Sequence, residues 1–231
     1  MTRAQYIEAV KVKLEEISPF DEPATFIAAG DSEINSIKPI VSYIDNTLDE
    51  ATKNCLLALP LSLLHPDIEA VPKLKGGSED DLTVAVDSQG VGRCKPVQNF
   101  RFVRFRHSTL QRDITAFITS EDPMYLLQQN IYTRGGTAKP VAVWNAATDE
   151  MEIYSFPASV CDSTLTDAVL LGVRTNKKPN SDAVGTEVVQ SAIQDFIVLE
   201  CAAMVADILG DTNTAQMMRS QQQQKLASVL S

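Results

Sequence analysis

Histidine, tryptophan and paired cysteine are scarce in this chain, and each scarcity closes off some chemistry. There are two histidines, at 65 and 107, and four cysteines, at 55, 94, 161 and 201, with no CxxC spacing among them. That leaves neither a zinc framework nor a disulfide framework to recognise. The cysteines are expected as small buried apolar residues. No apolar run approaches the roughly 18–20 residues that a bilayer-crossing helix needs. The opening MTRAQYIEAVKVKLEEI mixes charged and apolar residues and has no apolar leader region, which predicts a protein made in a cytoplasm and not secreted. GxSxG, Walker, HExxH and GxGxxG motifs are all missing. His65 has Asp67 close by but no nucleophile to activate. The expectation is therefore no catalytic residue, no cofactor and no metal.

Charge is present in abundance but unevenly placed. The chain of 231 residues has 20 bases against 30 acids, a formal net charge of −10. Yet Arg93, Lys95, Arg101, Arg104, Arg106 and Arg112 fall in one stretch, 93–112, that holds no acid. The remainder then carries 14 bases against 30 acids, or −16. An overall acidic surface disfavours non-specific binding of nucleic acid.

Inside the basic stretch lies NFRFVRFRH, 99–107. Aromatic and basic residues interleaved in this way suggest a nucleic-acid surface. Strand parity argues otherwise. Side chains alternate between faces, and the alternation breaks between Phe102 and Val103. One β-bulge there restores order. Phe100, Phe102, Val103 and Phe105 then face a core, and Arg101, Arg104 and Arg106 share the outer face. Cross-strand acids such as Glu150 and Glu152 are the simplest partners for the arginines. An acidic second copy of the chain is another, since the planar guanidinium suits carboxylates. Phosphate is the third.

The remaining pattern is helix, strands, helix. Thr2 and Gln5 predict a capping box for a helix over Arg3–Ile17, with Tyr6, Val10, Leu14 and Ile17 on its apolar face. A second helix is expected from Ile37, capped by Ser36, to Leu64, broken at Pro60. From 67 to about 180 short alternating runs predict strands, among them LTVAV, FRFVRF, ITAFIT, PVAVW and MEIYSF, with a hairpin at WNAATDEMEIY. Acids in GDSE, 30–33, and around Glu79–Asp81 predict solvated turns, and VRTNKKPNSDAVGT predicts a loop. Thr186, with Glu187 in the first turn, is expected to cap a helix that stops at Gly210. A polar last helix, 214–230, shows thin apolar content: Met217, Met218, Leu226, Val229 and Leu230. Such a helix needs a surface to pack on, its own body or a partner. The expected fold class is α+β. Residues 1–66 and 185–231 form a helical layer, and an antiparallel β-rich subdomain, 67–184, is inserted between them.

Two segments carry a family resemblance: YIDNTLDEATKNCLLALPLSLLHP, and TSEDPMYLLQQNIYTRGGTAKPVAVW followed by MEIYSFPA. Gln128, Asn130, Tyr132, Thr133, Arg134 and Gly135, then Lys139-Pro140-Val141, fall within it. Over roughly 37–160 the chain resembles head-to-tail connector proteins of short-tailed, crAss-like bacteriophages, the ring or stabilisation proteins and the tail tubular adaptors. The resemblance implies a structural virion protein, assembled in the host bacterial cytoplasm. It implies a homo-oligomeric ring, commonly twelvefold, between the portal protein and the next tail or ring protein. Genome DNA would pass through the lumen during ejection without specific binding. Arg101, Arg104, Arg106, Arg112 and Arg134, with Met217, Leu226, Val229 and Leu230, are the candidate contacts with neighbouring copies or partners. The competing expectations are a nucleic-acid-binding module built on Arg101, Arg104 and Arg106, and a hydrolase or lyase using His65 or His107.

Overall fold

A computed structural model describes residues 1–17, 40–75, 78–179 and 189–230. The chain divides into two compact units, Met1–Asp67 with Thr175–Ser231, and Ile68–Arg174. The first is helical and the second β-rich, giving an α+β protein with helices at both chain ends. The expected boundaries were 66/67 and 184/185. The chain in fact returns at 174/175, because Val173 and Arg174, expected in a loop, end a paired strand. Residues 184 and 185 lie outside the described residues, as do Ser36, Ile37, Thr186, Glu187 and GDSE.

The helical unit begins with α1 (Arg3–Ile17). The capping box forms: Thr2 N–H donates to Gln5 Oε1 at 2.8 Å, and Gln5 N–H donates to Thr2 Oγ1 at 3.2 Å. Tyr6, Val10 and Leu14 are buried. Next, α2 (Ile40–Ala58) buries Ile44, Thr47, Leu48, Ala51, Thr52, Cys55 and Leu56. It stops six residues short of Leu64, since Pro60 has no N–H to continue the ladder. A short 3₁₀ turn, His65–Asp67, follows.

Two further helices close this unit, numbered α4 (Gln194–Ile208) and α5 (Thr212–Leu230) because α3 lies in the β unit. The first starts later than the spacing predicts. Val189 and Gln190 are not helical, and a 3₁₀ turn, Ser191–Ile193, intervenes. Helix α4 buries Phe196–Leu199, Cys201–Ala203, Val205 and Ala206. A helix apolar on nearly all sides needs neighbours all round, and α1, α2 and α5 supply them. Gly210 (φ +80°) ends it as expected, with Gly210 N–H on Asp207 O and Asp211 N–H on Ala206 O.

The polar helix α5 packs on its own body. Thr214, Ala215 and Met218 are buried, and the Gln222 amide donates to Phe196 O at 3.3 Å. Arg219 pairs with Asp207 and Lys225 with Asp195. Its N-cap is Asp211, whose carboxylate accepts the Thr214 hydroxyl at 2.6 Å and the Thr214 N–H at 3.0 Å. These bonds hold the Asp211 pKa below its ordinary value. Replacing Asp211 with Ala is expected to cost about 1 kcal/mol. A lowered folded-state pKa means stability present above the unfolded value, about pH 4, and lost as pH falls through the folded value. The difference in Tm between wild type and Asp211→Ala should therefore shrink on acidification below pH 4. A difference constant from pH 7 to pH 2 would contradict the cap.

The β unit contains β1 (Ile68–Ala70), β2 (Lys73–Lys75), β3 (Ser78–Asp80), β4 (Val84–Val86), β5 (Gly92–Cys94), β6 (Phe100–Arg106), β7 (Phe117–Thr119), β8 (Val141–Asn145), β9 (Glu150–Tyr154), β10 (Thr164–Leu165) and β11 (Val169–Arg174). One sheet runs β1-β11-β6 and the other β10-β4-β5-β9-β8-β7, while β2 and β3 form a hairpin where Glu79 was expected in a turn. The β8–β9 hairpin forms as expected. One pairing departs from the antiparallel expectation: β7 and β8 are parallel. Parallel neighbours need a crossover, and α3 (Met124–Gln129) with its loop provides it. Phe100, Phe105 and Leu170 from the smaller sheet meet Val84, Met151 and Ile153 from the larger one in a shared core. The far face of the larger sheet buries Val91, Val143 and Tyr154.

Candidate assembly surfaces

The bulge in β6 sits where parity places it. Arg104 pairs with Leu171 and Phe102 with Gly172, so Val103 is the extra residue. Gly172 belongs there: a Cβ would lie 2.9 Å from Val71 Cγ2 and 3.0 Å from Arg101 O. Phe100 and Phe105 are buried, and Phe102 packs on Phe117 and Trp144 with ring centroids 5.9 and 5.6 Å apart.

The arginines are arranged differently from the simplest expectation. Arg104 and Arg106 each approach the one carboxylate of Asp113, at 3.6 Å. Glu150 and Glu152 lie on β9 in the other sheet and go to Lys95 (3.2 Å) and Arg93 (4.0 Å). Sheet assignment, which local pattern does not encode, decides this. Arg101 is half-buried, and burial lowers its pKa. Arg106 and Arg112 are exposed. Two arginines on one acid leave the edge locally positive.

Arg134 is a strut. Its guanidinium donates to Gln89 O at 3.0 Å and stacks 5.5 Å above the Tyr154 ring. In the helical unit, Met217, Val229 and Leu230 are about half-exposed. Leu226 instead turns toward a small cavity of about 140 Å³ beside Cys55 and Phe196.

A cluster of exposed apolar side chains at 124–132 was not among the expected contacts. Residues 123–133, PMYLLQQNIYT, contain no charge. Leu126 is 69% exposed, Ile131 62% and Tyr132 93%, with Met124 and Leu127 exposed beside them. This ledge is built. Asp122 Oδ1 accepts Met124 N–H at 2.8 Å to start α3. Tyr125 and Gln128 turn inward, and the Tyr125 hydroxyl reaches Glu152 Oε2 at 3.3 Å. Tyr154 O–H donates to the same oxygen at 2.6 Å. Burial first, then Glu152, raises the Tyr154 pKa. Beyond the helix, Thr133 Oγ1 donates to Leu127 O at 2.7 Å, and Asn130 Oδ1 accepts Tyr132 N–H at 3.0 Å. These bonds fix the backbone at both ends of α3, and the apolar side chains are held outward. The sequence carries no distinguishing signal for this surface, since the equally long uncharged run 54–64 is more apolar yet has Cys55, Leu56, Leu59 and Leu64 buried.

His107 has the partners of a catalytic relay but the setting of a staple. Its Nε2 lies 3.0 Å from Asp167 Oδ1 and its Nδ1 lies 2.7 Å from Thr109 Oγ1. Thr109 N–H also points at Nδ1, at 3.3 Å. The ring is shut from solvent, edge-on to Phe156. Its acceptor nitrogen is thus occupied by the adjoining turn, and its contacts join that turn to 167. Exposed His65 has no such arrangement, because Asp67 is buried against Lys177. Burial pushes the Cys94 thiol up to about 12 and the Cys201 thiol up to about 11, the behaviour of inert thiols. Among the described residues no group of three His, Cys, Asp or Glu is placed to hold a metal. No described helix is long and apolar enough to cross a membrane.

No protein-family model and no curated protein matches the chain.

Proposed function

We propose that this protein is a structural component of a short-tailed phage particle, a ring between the portal and the tail through which genome DNA passes. The observation that carries the reading is the ledge at 124–132. A well-folded acidic protein that holds Leu126, Ile131 and Tyr132 in water is made to be covered by protein. The ledge falls within the segment that resembles phage connectors.

Charge supports the conduit role. The helical unit carries 9 bases against 17 acids and the β unit 11 against 13, so −8 and −2. A ring of acidic copies repels the DNA backbone and lets it slide. The nucleic-acid-binding alternative has less support. Its stacking rings Phe100 and Phe105 are buried, and Arg104 and Arg106 share Asp113.

The test is full-length protein observed by native mass spectrometry and electron microscopy, alone and with its portal. A closed ring of defined copy number is expected, commonly twelvefold in the family it resembles. Monomer under both conditions sinks the reading. Salt-dependent DNA retention that vanishes in an Arg101/Arg104/Arg106→Ala variant would favour the alternative.

A further inference from the structure

We propose that the ledge of one copy seats in a groove on the helical unit of a second copy. The inference rests on the assembly reading and names the contact that builds it. The groove runs between α1, α4 and α5 and encloses about 650 Å³. Ala9, Val12, Val198 and Leu199 line its apolar part, and Glu8, Lys13, Asp195 and Lys225 its polar part. Its volume lies in the range of about 300–1,000 Å³ typical of ligand pockets, enough for the Ile131–Tyr132 pair.

Three observations select a second copy as the occupant. First, chemistry matches: an uncharged apolar projection meets a largely apolar hollow, in which Val12 is 42% exposed. Second, charge matches. Helical unit against helical unit would bring −8 against −8. The β unit is nearly neutral and carries the exposed Arg106 and Arg112. It therefore meets far less repulsion from the acidic helical unit than a second helical unit would, and the groove's own lining balances Glu8 and Asp195 with Lys13 and Lys225, so the uncharged ledge meets no net local charge. Third, ledge and groove belong to different units, so the contact is head-to-tail. A head-to-tail contact closes into a ring when its rotation allows. Tyr132 is the anchor, a rigid amphipathic side chain of the kind that dominates interfaces.

The experiment uses two full-length variants, Tyr132→Asp and Val12→Asp. Both positions are exposed, and circular dichroism and thermal midpoints check that both proteins fold. Wild type is expected to self-associate with rising concentration by light scattering and native mass spectrometry. Each variant is expected to associate at least about tenfold more weakly. Their equimolar mixture should form a one-to-one heterodimer and stop there, because one intact ledge and one intact groove remain. If Val12→Asp associates like wild type while Tyr132→Asp does not, the ledge docks elsewhere and the proposal falls. It falls equally if both variants associate like wild type, if the mixture forms no heterodimer, or if wild type stays monomeric into the millimolar range. Failure of the broader reading is distinguishable. Tyr132→Asp protein that still builds rings with the portal removes this contact alone, whereas wild type that builds none removes the ring.

Discussion

Lys177→Ala is expected to lower the unfolding free energy of the helical unit by about 3–5 kcal/mol, the usual cost of stranding one member of a buried ion pair. The Lys177 and Asp67 side chains are only 6% and 3% exposed, and their charged groups are in direct contact. Asp67 is held at the end of its 3₁₀ turn by its N–H on Leu64 O, and its second carboxylate oxygen has no hydrogen-bond partner among the described residues. Removing the ammonium leaves a carboxylate out of water with nothing to answer it. The pair also stands at a mechanically telling place: Asp67 is the last residue before the chain leaves the helical unit, and Lys177 follows soon after its return. Replacing both charges, as Asp67→Asn with Lys177→Met, should recover most of the loss, since a well-packed neutral pair is often as stable as a buried ionic one. Urea melts followed by far-ultraviolet circular dichroism report mainly on the helices. A Lys177→Ala protein within 1 kcal/mol of wild type would show that water reaches the carboxylate.

Phe105→Ala is expected to cost about 3–5 kcal/mol in the β unit, the range for removing a large aromatic side chain from a core. Phe105 is fully buried, meets Phe156 edge-on at 6.5 Å between centroids, and joins the core that both sheets share. The single tryptophan, Trp144, lies on β8 in the same unit and touches Phe102. Its fluorescence therefore follows this unit. The adjoining Arg106→Ala should change stability by no more than about 0.5 kcal/mol, because the arginine is exposed and shares Asp113 with Arg104. If Arg106→Ala cost more than Phe105→Ala, the inside and outside of this strand would have been assigned backwards.

These two neighbours show what kind of information sequence carries. Parity alone locates the bulge at Val103 and separates the phenylalanines from the arginines, because strand geometry is local. Capping at Thr2 and Gln5, the buried faces of α1 and α2, and the stop at Gly210 are legible for the same reason. The partner of the arginines is not. Glu150 and Glu152 looked available until the chain placed them in a different sheet and Asp113 came within reach. The parallel pairing of β7 with β8, and the strand ending at Arg174, also depend on contacts remote in sequence.

The ledge marks the limit most clearly. The apolar run at 124–132 is compatible with a core helix, and only the packing of Tyr125 and Gln128 leaves Leu126, Ile131 and Tyr132 outside. The polar helix α5 illustrates the converse, since its thin apolar face leaves open whether the body or a partner covers it. The nearly all-apolar surface of α4 settles that in favour of the body. What the sequence by itself determined is the α+β class, the helical ends around a β-rich middle, and the inward or outward sense of each strong periodic face. Those follow from periodicity and backbone chemistry, which act over a few residues. Which acid meets which base, and which apolar surface is left for another molecule to cover, only the tertiary structure decided, because burial and charge pairing depend on the positions of residues distant in the chain.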